Sequence, residues 1–191
     1  MAATLKKDVR EAILVAAREA AMAYGYAGIN FRDLAEAVGI KAASINYYFA
    51  NKAILGEAVA RRYWEDIARD LEAISTNAQS PMEALRQYPS IFRLSLERNN
   101  RMCLSSFMAT EYDTLPEQVL KEVQSFADIN TAWLREQLVA AKLVEPKDAE
   151  MRARAIYAAA AGAQIIARSR SDINLFDSLV RSYQEAGFLP N

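Results

Sequence analysis

The chain has 191 residues, of which 52% are hydrophobic and 25% charged, and its formal net charge is −1. That balance describes one large or two small globular domains and carries no overall basic excess that would argue for nucleic acid. With no histidine and a single cysteine, most catalytic triads, most zinc sites and every intramolecular disulfide are excluded, so neither a metal nor a cofactor is expected.

Glycine and proline are sparse and the sequence reads with helical period almost throughout. Val9, Ile13, Ala16, Ala17, Ala20 and Tyr24 share one face of a first helix that ends between Gly25 and Gly28. Asn30 is a good N-cap, with Asp33 placed favourably for the dipole, and a short helix over Phe31–Val38 stops at Gly39. A second short helix runs from Ala42 to about Tyr48, and Asn51 caps a longer one from Lys52 to about Ile74. Ser75 to Gln79 reads as a polar loop. Ser80-Pro81-Met82-Glu83 is a strong helix start, and Pro89 predicts a kink or break before Asn99-Asn100 ends that segment. A short helix over Met102–Thr110 follows. The Thr114-Leu115-Pro116-Glu117 pattern opens a long helix to about Lys142, Pro146 opens another to about Ser169, and Asp172–Ala186 is the last, closed by Gly187.

The two short helices around Gly39 have the form of a helix-turn-helix. Phe31, Leu34, Ala35 and Val38 supply an inner face, Gly39 permits positive φ, and Ile40 and Ile45 plug the core. Ser44, Asn46 and Tyr47 are left to point outward, where such side chains can meet base edges or phosphates. Up to Ala53, seven basic residues (Lys6, Lys7, Arg10, Arg18, Arg32, Lys41 and Lys52) outnumber five acidic ones, a local charge of +2 against −3 in the remainder. A phosphate-binding front end has that asymmetry. A tight helical hairpin without DNA has the same periodicity.

The wider segment Arg10 to Leu55 resembles the N-terminal domain of the TetR (tetracycline-repressor-like) family. The matching strings are Gly25-Tyr26, Asn30-Phe31-Arg32-Asp33-Leu34-Ala35, Val38-Gly39-Ile40-Lys41, Ser44-Ile45-Asn46-Tyr47-Tyr48-Phe49 and Asn51-Lys52-Ala53-Ile54-Leu55. The remainder resembles the family in its order of helices and in a Cys103-Leu104 pair followed by Ala109-Thr110-Glu111. The resemblance implies an all-α fold with a DNA-binding domain over 1–53 and a ligand-binding and dimerisation domain over 54–191. It implies a homodimeric regulator, usually a repressor, released from a palindromic double-stranded operator by a small organic effector. Carried over by position, Asn30, Arg32, Lys41, Ser44, Asn46, Tyr47, Tyr48 and Lys52 face DNA, and Phe49 is a packing residue. Lys41 departs from the small hydroxyl residue that often caps the recognition helix, and Asn46 from a common aromatic; both bear on which operator is read.

In the C-terminal part, Phe92, Cys103, Phe107, Met108, Phe126, Asn130, Trp133, Tyr157 and Gln164 are candidates to line an effector cavity. Each aromatic has the plain alternative of being core. Asn130 interrupts the apolar face Val119, Val123, Phe126, Trp133, and a buried amide needs a partner, protein or ligand. Cys103 is either a small buried hydrophobe or a thiol sensing oxidants or electrophiles. Ile173, Phe176, Val180 and Tyr183 form a stripe on the last helix which, with the Ala-rich helix before it, suits a four-helix dimer interface; packing within the same chain is the alternative.

A small-molecule enzyme finds no phosphate loop, nucleophile elbow or metal spacing. An interaction module that has lost DNA binding is opposed by Lys41, Ser44, Tyr47 and Lys52. The longest uncharged run, Ala155 to Ala167, is shorter than the roughly 20 residues a membrane span needs, and no signal peptide is evident, so no membrane partner and a cytoplasmic location are expected.

Overall fold

The computed structural model describes the backbone of residues 2–190 and the side chains of residues 8–190, so Lys6 and Lys7, counted above in the basic excess, have side chains outside the described residues. Among the described residues ten α-helices follow one another: α1 (Ala2–Tyr24), α2 (Phe31–Val38), α3 (Ala42–Tyr48), α4 (Lys52–Asn77), α5 (Pro81–Gln87), α6 (Ser90–Glu97), α7 (Leu104–Ala109), α8 (Glu117–Ala140), α9 (Ala149–Ser169) and α10 (Ile173–Glu185). Short 3₁₀ turns occupy Tyr26–Gly28 and Tyr112–Thr114, and no strand occurs among the described residues.

The chain forms two compact units, one of residues 1–64 with 104–124 and one of residues 65–103 with 125–191. This differs from a single cut after residue 53. The first half of α4 packs with the helix-turn-helix segment, and α7 with the start of α8 joins that same unit. In the first unit Ile13, Ala17, Leu34, Ile45, Leu55, Val59 and Met108 are buried. In the second, Leu71, Leu85, Tyr88, Phe92, Phe126 and Ile156 are buried.

Helix ends follow local chemistry where that chemistry is available. The Asn30 side chain accepts from the Arg32 and Asp33 amides, and Gly39 closes α2 in the left-handed region at φ 74°. Ser80 accepts from the Glu83 amide while Glu83 accepts from the Gln79 amide, with Pro81 in the first turn. Pro89 splits the expected single helix into α5 and α6, as a residue without an N–H should.

Three boundaries depart from expectation. α4 runs through Ser75–Asn77, read from the sequence as loop, and Ser75 Oγ accepts from Trp133 Nε1 at 2.8 Å and from the Gln137 amide at 3.3 Å. Those contacts hold a polar segment in a helix that its own composition would let fray. Thr114 does not cap α8; its hydroxyl donates to the Glu111 carbonyl instead, at 2.9 Å. α9 begins at Ala149, with residues 146–148 in a turn closed by the Asp148 amide on the Glu145 carbonyl.

Candidate functional site

The candidate surface is built by α2, the Gly39 turn and α3. Leu34 and Ala35 are buried on the inner face of α2, and Ile45 is fully buried on α3. With Ile45 facing inward, the 3.6-residue period turns the opposite side of α3 to solvent. Lys41, Ala42, Ala43, Asn46 and Tyr47 are exposed there, Tyr47 at 66%, while Ser44 and Tyr48 are half-buried. Tyr47 and Tyr48 meet edge-on with ring centroids 5.1 Å apart. Lys41 caps α3 without a side-chain hydrogen bond, which leaves its ammonium available outside the helix. Phe49 is buried, with the Arg10 guanidinium 4.9 Å above its ring.

Beside this face lies a cleft of about 290 Å³ lined by Ala27, Ile29, Asn30, Phe31 and Lys52. It opens at the N-terminus of α2, where the helix dipole favours an anion, while Asn30 already holds the Arg32 and Asp33 amides. Lys52 Nζ donates to the Ala27 carbonyl at 3.3 Å and sits 4.5 Å above the Tyr26 ring. Burial lowers the Lys52 pKa, and the charge of Glu111 opposes that shift. Asn30 and Lys52 thus line one anion-sized opening. Ala42 and Ala43, which the sequence reading passed over, are exposed at the start of α3; small apolar side chains there are suited to a thymine methyl.

In the second unit Phe92, Phe126, Asn130, Trp133, Tyr157, Cys103 and Gln164 all take part in one core, whereas Phe107 and Met108 belong to the first unit. Tyr88, unremarked in the sequence, stands at its centre. Its ring stacks on Trp133 at 5.7 Å and meets Phe92 edge-on at 5.8 Å. Its hydroxyl donates to Asn130 Oδ1 at 2.9 Å, and burial pushes its pKa well above the ordinary tyrosine value. The Asn130 amide nitrogen donates to the Phe126 carbonyl at 2.8 Å. Gln164 accepts from the Cys103 amide at 3.0 Å and donates to the Phe92 carbonyl at 2.6 Å. Both buried amides therefore have protein partners, and the Cys103 thiol is buried with them. A cleft of about 550 Å³ in the same unit is lined by other residues, among them Met82, Leu138, Leu143, Arg152 and Leu189.

The model of the bacterial regulatory proteins of the tetR family matches residues 13–59, the segment running from α1 across the helix-turn-helix into α4. A TetR transcriptional regulator from Legionella pneumophila superposes with a TM-score of 0.85 at 28% identity, covering 92% of this chain and 95% of that one. Residues 13–59 thus carry the sequence of that family's regulatory domain, and the chain shares the fold of TetR-family regulators. A second TetR-family regulator, from Agrobacterium tumefaciens, superposes with a TM-score of 0.88 at 25% identity over 97% and 99% of the two chains. The Probable HTH-type transcriptional regulator YttP of Bacillus subtilis is 28% identical over 103 residues, 53% of this chain and 48% of YttP. The match thus spans about half the length of that curated relative.

The stripe on α10 is divided between inward and outward residues. Phe176 is only 1% exposed and packs into its own unit, and the neighbouring Asp177 carboxylate holds Arg93 of α6 at 2.8 and 3.0 Å. Val180 lines a cleft with Arg93 and Asp177, and Tyr183 meets the Phe188 ring at 6.0 Å. Ile173, Val180 and Tyr183 remain half-buried. The exposed apolar side chains lie instead on α9, where Ile165 and Ile166 are each 46% exposed and Met151 and Ala158 are also exposed. The sequence signal for this was present: Met151, Ala158 and Ile165 recur every seven residues.

Proposed function

We propose that the chain is a ligand-responsive DNA-binding regulator that acts as a homodimeric repressor on a near-palindromic operator. The observation that carries this reading is the exposed polar side of α3, held on a fully buried Ile45, beside the anion-sized cleft of Asn30 and Lys52. Asn46, Ser44 and the Ala42–Ala43 pair read bases. Arg32, Lys41, Tyr47, Tyr48 and Lys52 hold phosphates, so they set affinity and register. In the dimer the two α3 helices enter successive major grooves roughly 34–36 Å apart.

The homodimer uses α9 through Ile165 and Ile166, with the outer side of α10. The effector is a neutral or weakly polar organic molecule, taken up in the aromatic core of the second unit by exchanging the Tyr88–Asn130 hydrogen bond for one of its own. A 100-fold loss of operator affinity then requires about 2.7 kcal/mol of preference for the conformation that DNA disfavours.

Fluorescence anisotropy on a duplex from upstream of the gene tests the docking. Lys52→Ala should weaken binding about tenfold on every sequence and reduce the salt slope by about one. Asn46→Ala should instead change the preferred sequence. Unchanged affinity and salt slope in Lys52→Ala would overturn the docking.

A further inference from the structure

The turn between α1 and α2 is held from outside the helix-turn-helix by one carboxylate. Glu111 follows α7, and its Oε2 accepts from the Tyr26 backbone N–H at 2.7 Å across 85 residues of sequence. Space has been cleared for it. Gly25 sits at φ 69°, and a Cβ there would collide with the Glu111 carboxylate. The same turn is packed from beneath, where Gly56 of α4 leaves room for the Tyr26 ring that a Cβ would meet at 2.6 Å. Two residues after Gly25, the Ala27 carbonyl holds Lys52 Nζ, and Ala27, Asn30 and Lys52 form walls of the anion cleft.

A negative charge beside a phosphate-binding cleft opposes DNA through its field. Its presence here needs a reason other than charge, and the geometry supplies one. We infer that Glu111 is a positioning residue for operator binding: it fixes the Gly25–Gly28 turn and thereby the wall of the cleft in which Asn30 and Lys52 receive a backbone phosphate. This rests on the DNA-binding reading above. The acceptor oxygen does the positioning, while the charge acts both ways, repelling a phosphate and helping Lys52 keep its proton.

That division makes the sign of the effect diagnostic. Operator affinity is measured on the full-length chain by anisotropy for the wild type and for Glu111→Ala, Glu111→Gln and Glu111→Asp, and exchange of the Tyr26 amide proton is followed in each. Glu111→Ala should bind about tenfold more weakly and expose the Tyr26 amide to exchange, because a charge-assisted bond is lost. Glu111→Gln keeps an acceptor at the same reach and should stay within about twofold of wild type, with the amide protected. Glu111→Asp keeps the charge but falls a methylene short, and should behave like Glu111→Ala; it serves should the alanine variant fail to fold. Tighter or unchanged binding in Glu111→Ala overturns the inference, as does equal weakness in Glu111→Gln. Should the wild type bind no duplex, the functional reading fails by itself, and a Tyr26 amide unaffected by Glu111→Ala would still reject the positioning role.

Discussion

The two units handle buried polar groups in opposite ways. In the first, the polar side chains of the helix-turn-helix are turned outward by a small apolar core, and the buried carboxylate of Glu122 takes Arg61 at 2.6 Å and Trp64 Nε1 at 2.7 Å as partners. In the second, neutral amides are enclosed in an aromatic core and bonded to a tyrosine hydroxyl and to backbone groups. A charged network responds to pH and salt, whereas a neutral one responds to shape and to competing hydrogen-bond donors. The contrast suits a unit that meets a polyanion and a unit that would admit an uncharged molecule. Each unit also carries one of the chain's two tryptophans, Trp64 in the first and Trp133 in the second, so single-tryptophan variants report on them separately.

The largest effect should separate core from surface in the second unit. Phe176→Ala should cost about 4 kcal/mol of stability, read by urea unfolding at Trp133, since a fully packed aromatic is removed. The double substitution Ile165→Glu with Ile166→Glu should leave that midpoint nearly unchanged but convert dimer to monomer in sedimentation. A stable monomer from Phe176→Ala, or a dimer retained in the double variant, would return the interface to the face of α10.

The next effect should appear at Trp64 alone. Burial pushes the Glu122 carboxyl up, but the hydrogen bonds from Arg61 and Trp64 and the charge of Arg61 outweigh it, leaving the pKa below the usual carboxylate range. A carboxylate depressed in the folded state contributes stability that is complete above its unfolded pKa and is lost as pH falls through the lower folded value. Acid titration should therefore loosen the Trp64 signal below about pH 4. Glu122→Leu should destabilise the first unit by about 2.5 kcal/mol at neutral pH, because the Trp64 N–H loses a charged acceptor while half-exposed Arg61 keeps Glu57, and should flatten that acid dependence. An acid transition unaltered in Glu122→Leu would place the titrating group elsewhere.

A smaller effect sharpens the neutral side of the comparison. Asn130→Leu leaves the Tyr88 hydroxyl buried without its acceptor and should cost about 2 kcal/mol, seen at Trp133, with operator affinity intact and the effector response lost. Tyr88→Phe in the same chain should recover part of that stability. Full response to the effector in Asn130→Leu would remove this core as the effector site.

Legibility followed the range of the interactions. The bounds of α2 were readable to the residue because Asn30 and Gly39 act on amides and carbonyls a few positions away. Ser75 to Asn77 looked like loop because the partner of Ser75 is Trp133, 58 residues further on. Asn130 was recognisable as a buried amide needing a partner, yet nothing in its neighbourhood named Tyr88, 42 residues earlier. Glu111 read only as a helix end and part of a family-like string, since its partner is a backbone N–H and backbone groups leave no trace in residue identity.

By itself, the sequence determined the all-α class, the place of the helix-turn-helix, its outward polar face and the break at Pro89. These depend on helical period, caps and the missing proline N–H, all expressed within one or two turns. Only the tertiary structure decided that Phe176 turns inward while Ile165 and Ile166 stay exposed, that Asn130 and Gln164 are satisfied within the protein, and that Glu111 reaches the turn ahead of α2. An amphipathic stripe shows that a helix has an apolar side but not what covers it, and a polar side chain shows that it needs a partner but not which one. Both answers come from which distant segments are brought to within a few ångströms.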